Sequence, residues 1–193
     1  MTHRRAVVLG LGAASLATPT LARGGFRPLF DGRDLAGWTA VGTANWTVKD
    51  GAITADRGGP GFLVSRDSFR DFELRAEVWV SPDANSGIFI RCSDRGQITA
   101  ANAYEVNLFD TRPDPTYGTG AIVDVAKVSP MPKAGGRWNV MEIRARDDTF
   151  SVSLNGRKTV DQARDAAHAE GPIALQYGSG LVKFRSVGVR ALA

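Results

Sequence analysis

Three residues of this 193-residue chain combine the types and spacing needed for chemistry: Glu105, Asn107 and Arg91. The runs around them, residues 103–109 and 85–92, alternate with period two, the signature of strands with one buried face. If Tyr104, Val106 and Leu108 face the core with Ile88, Ile90 and Cys92, then Glu105, Asn107 and Arg91 emerge together on the opposite face. A carboxylate there is a candidate base, an amide reads hydroxyls, and a guanidinium stabilises a developing anion. Asp110 has the wrong parity to join Glu105, and a β-bulge near Phe109 would bring it round. The plainer alternative is a solvated face of cross-strand charge pairs, each worth about 0.2–1 kcal/mol.

Other short strands must surround this pair. Asp50-Gly51 and Asn155-Gly156 are two-residue hairpin signals between β-prone runs. Residues 71–80 form the longest clean strand, with Phe72, Leu74, Ala76, Val78 and Val80 inward and Glu73, Arg75, Glu77 and Trp79 outward. An outward Trp79 beside charges offers a stacking surface for a sugar ring. Residues 111–136, rich in Pro and Gly, read as a functional loop or partial lid, from which Lys127 is placed to reach over Glu105. One helical turn is expected within residues 161–171, and a bulge near Ser186 in the last strand. About ten or eleven short strands with almost no helix predict an all-β fold, a two-sheet antiparallel sandwich.

Composition excludes several functions. Residues 1–22 read as an export signal: Arg4-Arg5, an apolar run too short to span a bilayer, then Thr20-Leu21-Ala22. The context of the arginine pair resembles a twin-arginine signal, and a retained N-terminal anchor is the alternative. The expected product is a single domain over residues 23–193, periplasmic or secreted, with no membrane association once the signal is removed. Removal takes two arginines and no acids, so the net charge falls from +4 to +2. That is too little to argue for nucleic acid, and no basic cluster with interleaved aromatics occurs. Cys92 is the single cysteine and its parity points inward, so no intrachain disulfide forms. His168 is the one histidine beyond the signal, which leaves no zinc site of ordinary composition. No cofactor is called for, with a divalent cation on oxygen ligands as the open alternative.

The order of several short pieces resembles a known family, the bacterial 3-keto-disaccharide hydrolase domain: Leu29-Phe30-Asp31-Gly32, Trp46-Thr47-Val48-Lys49-Asp50-Gly51, Asn85-Ser86-Gly87-Ile88-Phe89-Ile90-Arg91, Tyr104-Glu105-Val106-Asn107, Trp138-Asn139 and Gly171-Pro172-Ile173-Ala174-Leu175-Gln176. The resemblance implies a concanavalin-like jelly roll with a carbohydrate on its concave sheet, and cleavage of glycosides already oxidised to a ketone at sugar carbon 3. The family's site positions fall on Asn85, Arg91, Glu105, Asn107, Asp110 and Gln176, with Lys127 beside them. Two departures stand out. Gln176-Tyr177-Gly178-Ser179 replaces the frequent Gln-Asp-His-Gly, removing a histidine, and Val123 replaces a tyrosine after Gly120-Ala121-Ile122.

These readings give an expected reaction. A ketone at carbon 3 acidifies the hydrogen at carbon 2; Glu105 removes it, Arg91 or Lys127 stabilises the enolate, and Asp110 protonates the leaving group. Asn85, Asn107, Gln176 and Trp79 hold the sugar. The alternatives are a non-catalytic carbohydrate-binding module and a retaining, laminarinase-like glycosidase using Glu105 and Asp110.

Overall fold

The computed structural model describes residues 25–192, so the expected export signal lies outside the described residues. Thirteen strands follow in order: β1 (Arg27–Phe30), β2 (Trp38–Gly42), β3 (Thr47–Lys49), β4 (Ala52–Ala55), β5 (Gly61–Phe69), β6 (Phe72–Val80), β7 (Asn85–Ile90), β8 (Tyr104–Leu108), β9 (Trp138–Arg146), β10 (Thr149–Leu154), β11 (Arg157–Arg164), β12 (Gly171–Ser179) and β13 (Val182–Ala191). They form two antiparallel sheets. Eight strands pair as β11-β10-β9-β6-β13-β4-β3 with β1 also on β13, and five pair as β2-β5-β12-β7-β8. The all-β sandwich expected from the strand pattern is the fold observed.

The core lies between the sheets. Phe72, Leu74 and Val78 of β6 meet Ile88, Ile90, Tyr104, Val106 and Leu175 of the smaller sheet in one cluster of buried side chains. The hairpin signals act as their chemistry dictates: Asp50-Gly51 and Asn155-Gly156 take positive φ at both residues, which a type I′ turn requires. The expected bulge in β13 is also present, between Phe184 and Ser186.

One local expectation fails and a second is sharpened. Residues 161–164 continue β11, with a register shift and a positive φ at Gln162, and form no helical turn. Residues 111–136, expected as a functional loop or partial lid, are fixed against the edge of β8. Pro115–Tyr117 makes a 3-10 turn, and Ile122 bridges to Val106 of β8. That bridge closes the edge of β8 that pairing with β7 alone would leave open.

Candidate active site

β8 carries the candidate base. Its inward residues enter the core, so Glu105 and Asn107 stand on the outer face of the five-stranded sheet, as alternation predicts. The edge beside them is occupied. The Asn107 N–H donates to Ala121 O at 3.0 Å, the Gly120 N–H to Asn107 O at 2.9 Å, and the Val123 N–H to Glu105 O at 3.0 Å. Residues 120–123 thus wall the site, and Glu105 is only 9% exposed while Asn107 is fully buried. The expected open face is therefore a covered niche.

Gly87 forms its floor. It pairs with Asn107 on one side and with Gln176 on the other. A Cβ at this position would stand 3.2 Å from Gln176 Oε1 and 3.5 Å from Glu105 Cγ, so carboxyl and amide converge over a bare Cα. A glycine inside a strand marks such a close approach. Asn107 Nδ2 donates to Tyr117 O at 2.8 Å, which fixes that amide's orientation. Asn107 Oδ1 and Gln176 Oε1 are then buried without a hydrogen-bond partner in the protein. Leaving a buried acceptor unpaired costs about 1–3 kcal/mol, so both atoms favour a ligand that brings donors. Phe62 and Phe89, edge to face at 5.1 Å, form an apolar wall on the same sheet face.

Burial sets the acidity of Glu105. Its pKa is pushed from 4.5 up to about 7, mainly by desolvation; Arg112 pulls it down and Asp124 pushes it further up. The carboxyl is therefore part ionised at neutral pH, the condition for a base that must accept a proton and give it up again. Arg112 and Asp124 escaped the sequence reading because they sit in an irregular segment with no periodicity to orient them. Gly87 escaped it because alternation reports side chains.

Asn85 shares this face, two residues before Gly87. A Cβ on Gly178 would lie 3.0 Å from Asn85 Cγ, so Asn85 occupies the space that a larger side chain at 178 would need.

Three expected site residues lie elsewhere, and Lys127, beside the Tyr117 that holds the Asn107 amide, makes no ion pair with Glu105 among the described residues. Arg91 takes φ of +52°, which breaks the alternation of β7 and turns its side chain to the interior end of the sandwich. It is 1% exposed, and its guanidinium donates to Arg70 O at 2.8 Å, to Asp147 O at 2.7 Å and to Asp71 Oδ1 at 3.1 Å, above the Phe150 ring. Arg91 is a structural tie. Asp110 lies beyond β8, which ends at Leu108 in regular register with β7, so no bulge brings it back. Its carboxylate accepts from Thr119 Oγ1 at 2.6 Å and from the Ala134 and Gly135 N–H groups at 3.0 and 2.9 Å, clamping residues 134–135. Lys127 points its ammonium to the Tyr117 ring, 5.6 Å from its centre. Trp79 does face outward, but from the eight-stranded sheet, on the opposite side of the molecule from Glu105. Alternation gives the face of a strand and not the sheet to which the strand belongs.

Cys92 is buried and free, its thiol pushed up to about 12 by desolvation, as an inert core residue should be. Among the described residues, no three His, Cys, Asp or Glu side chains gather as a metal-binding group, and no helix is long and apolar enough to cross a membrane.

A two-sheet antiparallel sandwich with a polar niche on one outer face defines the class of lectin- and glucanase-like jelly rolls. Solved structures of this shape include a candidate glycosyl hydrolase from Parabacteroides distasonis (TM-score 0.74, 18% identity, 88% of this chain and 95% of that one). They also include the carbohydrate-binding module CBM66 from Bacillus subtilis (TM-score 0.65, 20% identity, 80% of this chain and 96% of that one). At these identities the likeness establishes the fold. The sequence is more specific: the chain belongs to the 3-keto-alpha-glucoside-1,2-lyase-like domain family, which it matches over residues 25–190. It is also 29% identical over 168 residues, 71% of its length, to a 3-keto-disaccharide hydrolase of Bacteroides thetaiotaomicron. It spans 58% of that relative's length.

Proposed function

We propose that the protein is an exported enzyme that cleaves 3-keto-glycosides by elimination followed by hydration, with Glu105 as the base. One observation carries the proposal. A desolvated carboxyl with a pKa near 7 meets two unpartnered amide oxygens over a glycine floor, in a chain of this family.

Glu105 takes the proton from carbon 2, and the C–H electron pair becomes the enolate of the carbon 3 ketone. The enolate collapses to expel the oxygen on carbon 1, which takes a proton from water. The hydroxide left behind adds to carbon 1 of the new double bond and Glu105 returns a proton, exchanged with solvent, to carbon 2, so the net change is hydrolysis by one water. Arg112, the cation acting on Glu105, replaces Arg91 and Lys127 as the group that stabilises the enolate oxygen. Asn107 Oδ1 and Gln176 Oε1 accept from sugar hydroxyls, and Phe62 and Phe89 pack against apolar ring hydrogens.

The laminarinase-like alternative needs two free carboxylates about 5–5.5 Å apart, and Asp110 is engaged by Thr119, Ala134 and Gly135. A non-catalytic carbohydrate-binding module draws support from the engagement of Asp110 away from Glu105 and from Gly178 where the resemblance implies a histidine. The separating experiment incubates wild type and Glu105→Gln with a 3-keto-disaccharide and measures free sugar. Release by wild type alone supports the enzyme. Tight binding by both proteins without release establishes the binding module instead.

A further inference from the structure

The outer face of the eight-stranded sheet takes no part in this reaction, yet charge is concentrated there. Of the twenty-one Lys and Arg and the twenty Asp and Glu among the described residues, eleven cations but only four acids lie in its strands. The remainder of the described chain carries ten cations against sixteen acids. All four acids of the sheet, Glu73, Glu77, Glu142 and Asp161, are already paired with cations. Positive charge is left over on this face.

Part of that charge is held in place. Trp79 and Trp138 are direct cross-strand partners, half-buried on the outer face. Lys183, opposite Trp79 on β13, holds its ammonium 5.2 Å from the Trp79 ring centre. Arg185 lies with its guanidinium carbon 4.2 Å from the Trp138 ring centre, and its Nε donates to Glu77 Oε2 at 2.6 Å. A ring face and a carboxylate thus fix Arg185 at two points, and among the described hydrogen bonds neither of its terminal NH2 groups has an acceptor. A guanidinium held flat on an aromatic ring is pre-organised to receive a carboxylate, with little side-chain freedom left to lose. Lys183 has no carboxylate partner among the described ion pairs either. The same face carries a groove of about 710 Å³ lined by Thr149, Ser151, Ser153 and Gln162 together with three cations and four acids, a lining that exchanges hydrogen bonds with sugar hydroxyls rather than collecting carboxylates.

From this pairing of stacked cations with a hydroxyl-lined groove we infer that the outer face of the eight-stranded sheet is a second ligand site, for an acidic polysaccharide bearing uronate groups. Lys183 and Arg185 take the carboxylates, and the groove takes the sugar hydroxyls. The site is independent of Glu105, and it keeps the protein on an acidic glycan whether or not the niche is catalytic.

The test is titration calorimetry of the full chain with polygalacturonate, neutral dextran, anionic lipid vesicles and duplex DNA, at low and raised salt. Polygalacturonate binds, dextran does not, and added salt weakens the complex. Lys183→Gln and Arg185→Gln each raise Kd about tenfold, the worth of one charge-assisted hydrogen bond. Both keep the wild-type melting temperature and the wild-type rate at the Glu105 niche, and Glu105→Gln binds polygalacturonate as wild type does. Equal binding of dextran, vesicle or DNA binding as tight as that of polygalacturonate, or a Kd indifferent to both substitutions overturns the inference. Each of these results leaves the Glu105 reaction untouched.

Discussion

The two outer faces of the sandwich come from the same period-two alternation, yet they differ in what their polar atoms have for company. On the eight-stranded sheet the acids are half-buried and cross-paired with cations: Glu73 with Arg144 and Arg190, Glu77 with Arg185, Glu142 with Arg75. On the five-stranded sheet Glu105 is covered, and the amide oxygens beside it lack protein partners. A charge in water with a neighbour loses little when the neighbour goes; a covered one has its acidity set by its surroundings. Counting polar residues on a strand does not separate the two cases. The segment 120–123, which closes the edge of β8, makes the difference.

The comparison breaks most visibly at Glu105. Glu105→Gln lowers kcat on a 3-keto-disaccharide by about 100- to 10,000-fold, the usual contribution of a positioned base. Glu77→Gln leaves the rate within about twofold, because its ion pair with Arg185 lies on the opposite face of the sandwich from Glu105. Steady-state assays of the two variants side by side check both statements.

Next in size is the buried cation. Arg91→Met leaves the carbonyls of Arg70 and Asp147 and the carboxylate of Asp71 without their donor. It costs about 3 kcal/mol or more in denaturant unfolding, because breaking a buried charge pair strands its partners. An unchanged midpoint would mean that Arg91 is not the tie described above.

Glu105 also links the niche to pH. With its pKa raised from 4.5 to about 7, the folded protein keeps a proton that the unfolded chain has lost between those values. Stability from this group is therefore full below pH 4.5 and falls as pH rises through 7, by about 3 kcal/mol in all. Activity runs the other way and rises toward pH 7 and above as the carboxylate forms. Glu105→Gln flattens the stability slope in urea titrations at pH 5 and pH 8, and it is more stable than wild type at pH 8. The smallest effect sharpens the contrast: Arg144→Gln, which removes one exposed pair with Glu73, changes stability by less than about 1 kcal/mol in the same titrations.

Strands β3 to β13, the type I′ turns, the bulge in β13 and the outer placement of Glu105 and Asn107 were legible because each follows from a local rule of parity or turn chemistry, whereas β1 and β2 lie in turn-rich sequence with no such alternation. Arg91 was misplaced because a single positive φ reverses parity, and no residue type announces it where arginine stands in for the expected glycine or asparagine. Asp110 was misread because its fate depends on Thr119 and residues 134–135, contacts that strand spacing does not encode. Trp79 was assigned the right face of the wrong sheet, since strand order is a long-range property. Arg112 and Asp124 became candidates only when the fold of residues 111–128 brought their charges to bear on Glu105.

The central claim is that Glu105 removes the hydrogen at carbon 2, and a 3-keto-disaccharide deuterated at that carbon tests it most directly. The account predicts slower sugar release than from the undeuterated substrate, with deuterium exchanged for solvent hydrogen in the product. Release at an undiminished rate, with deuterium retained in full at carbon 2, would contradict it.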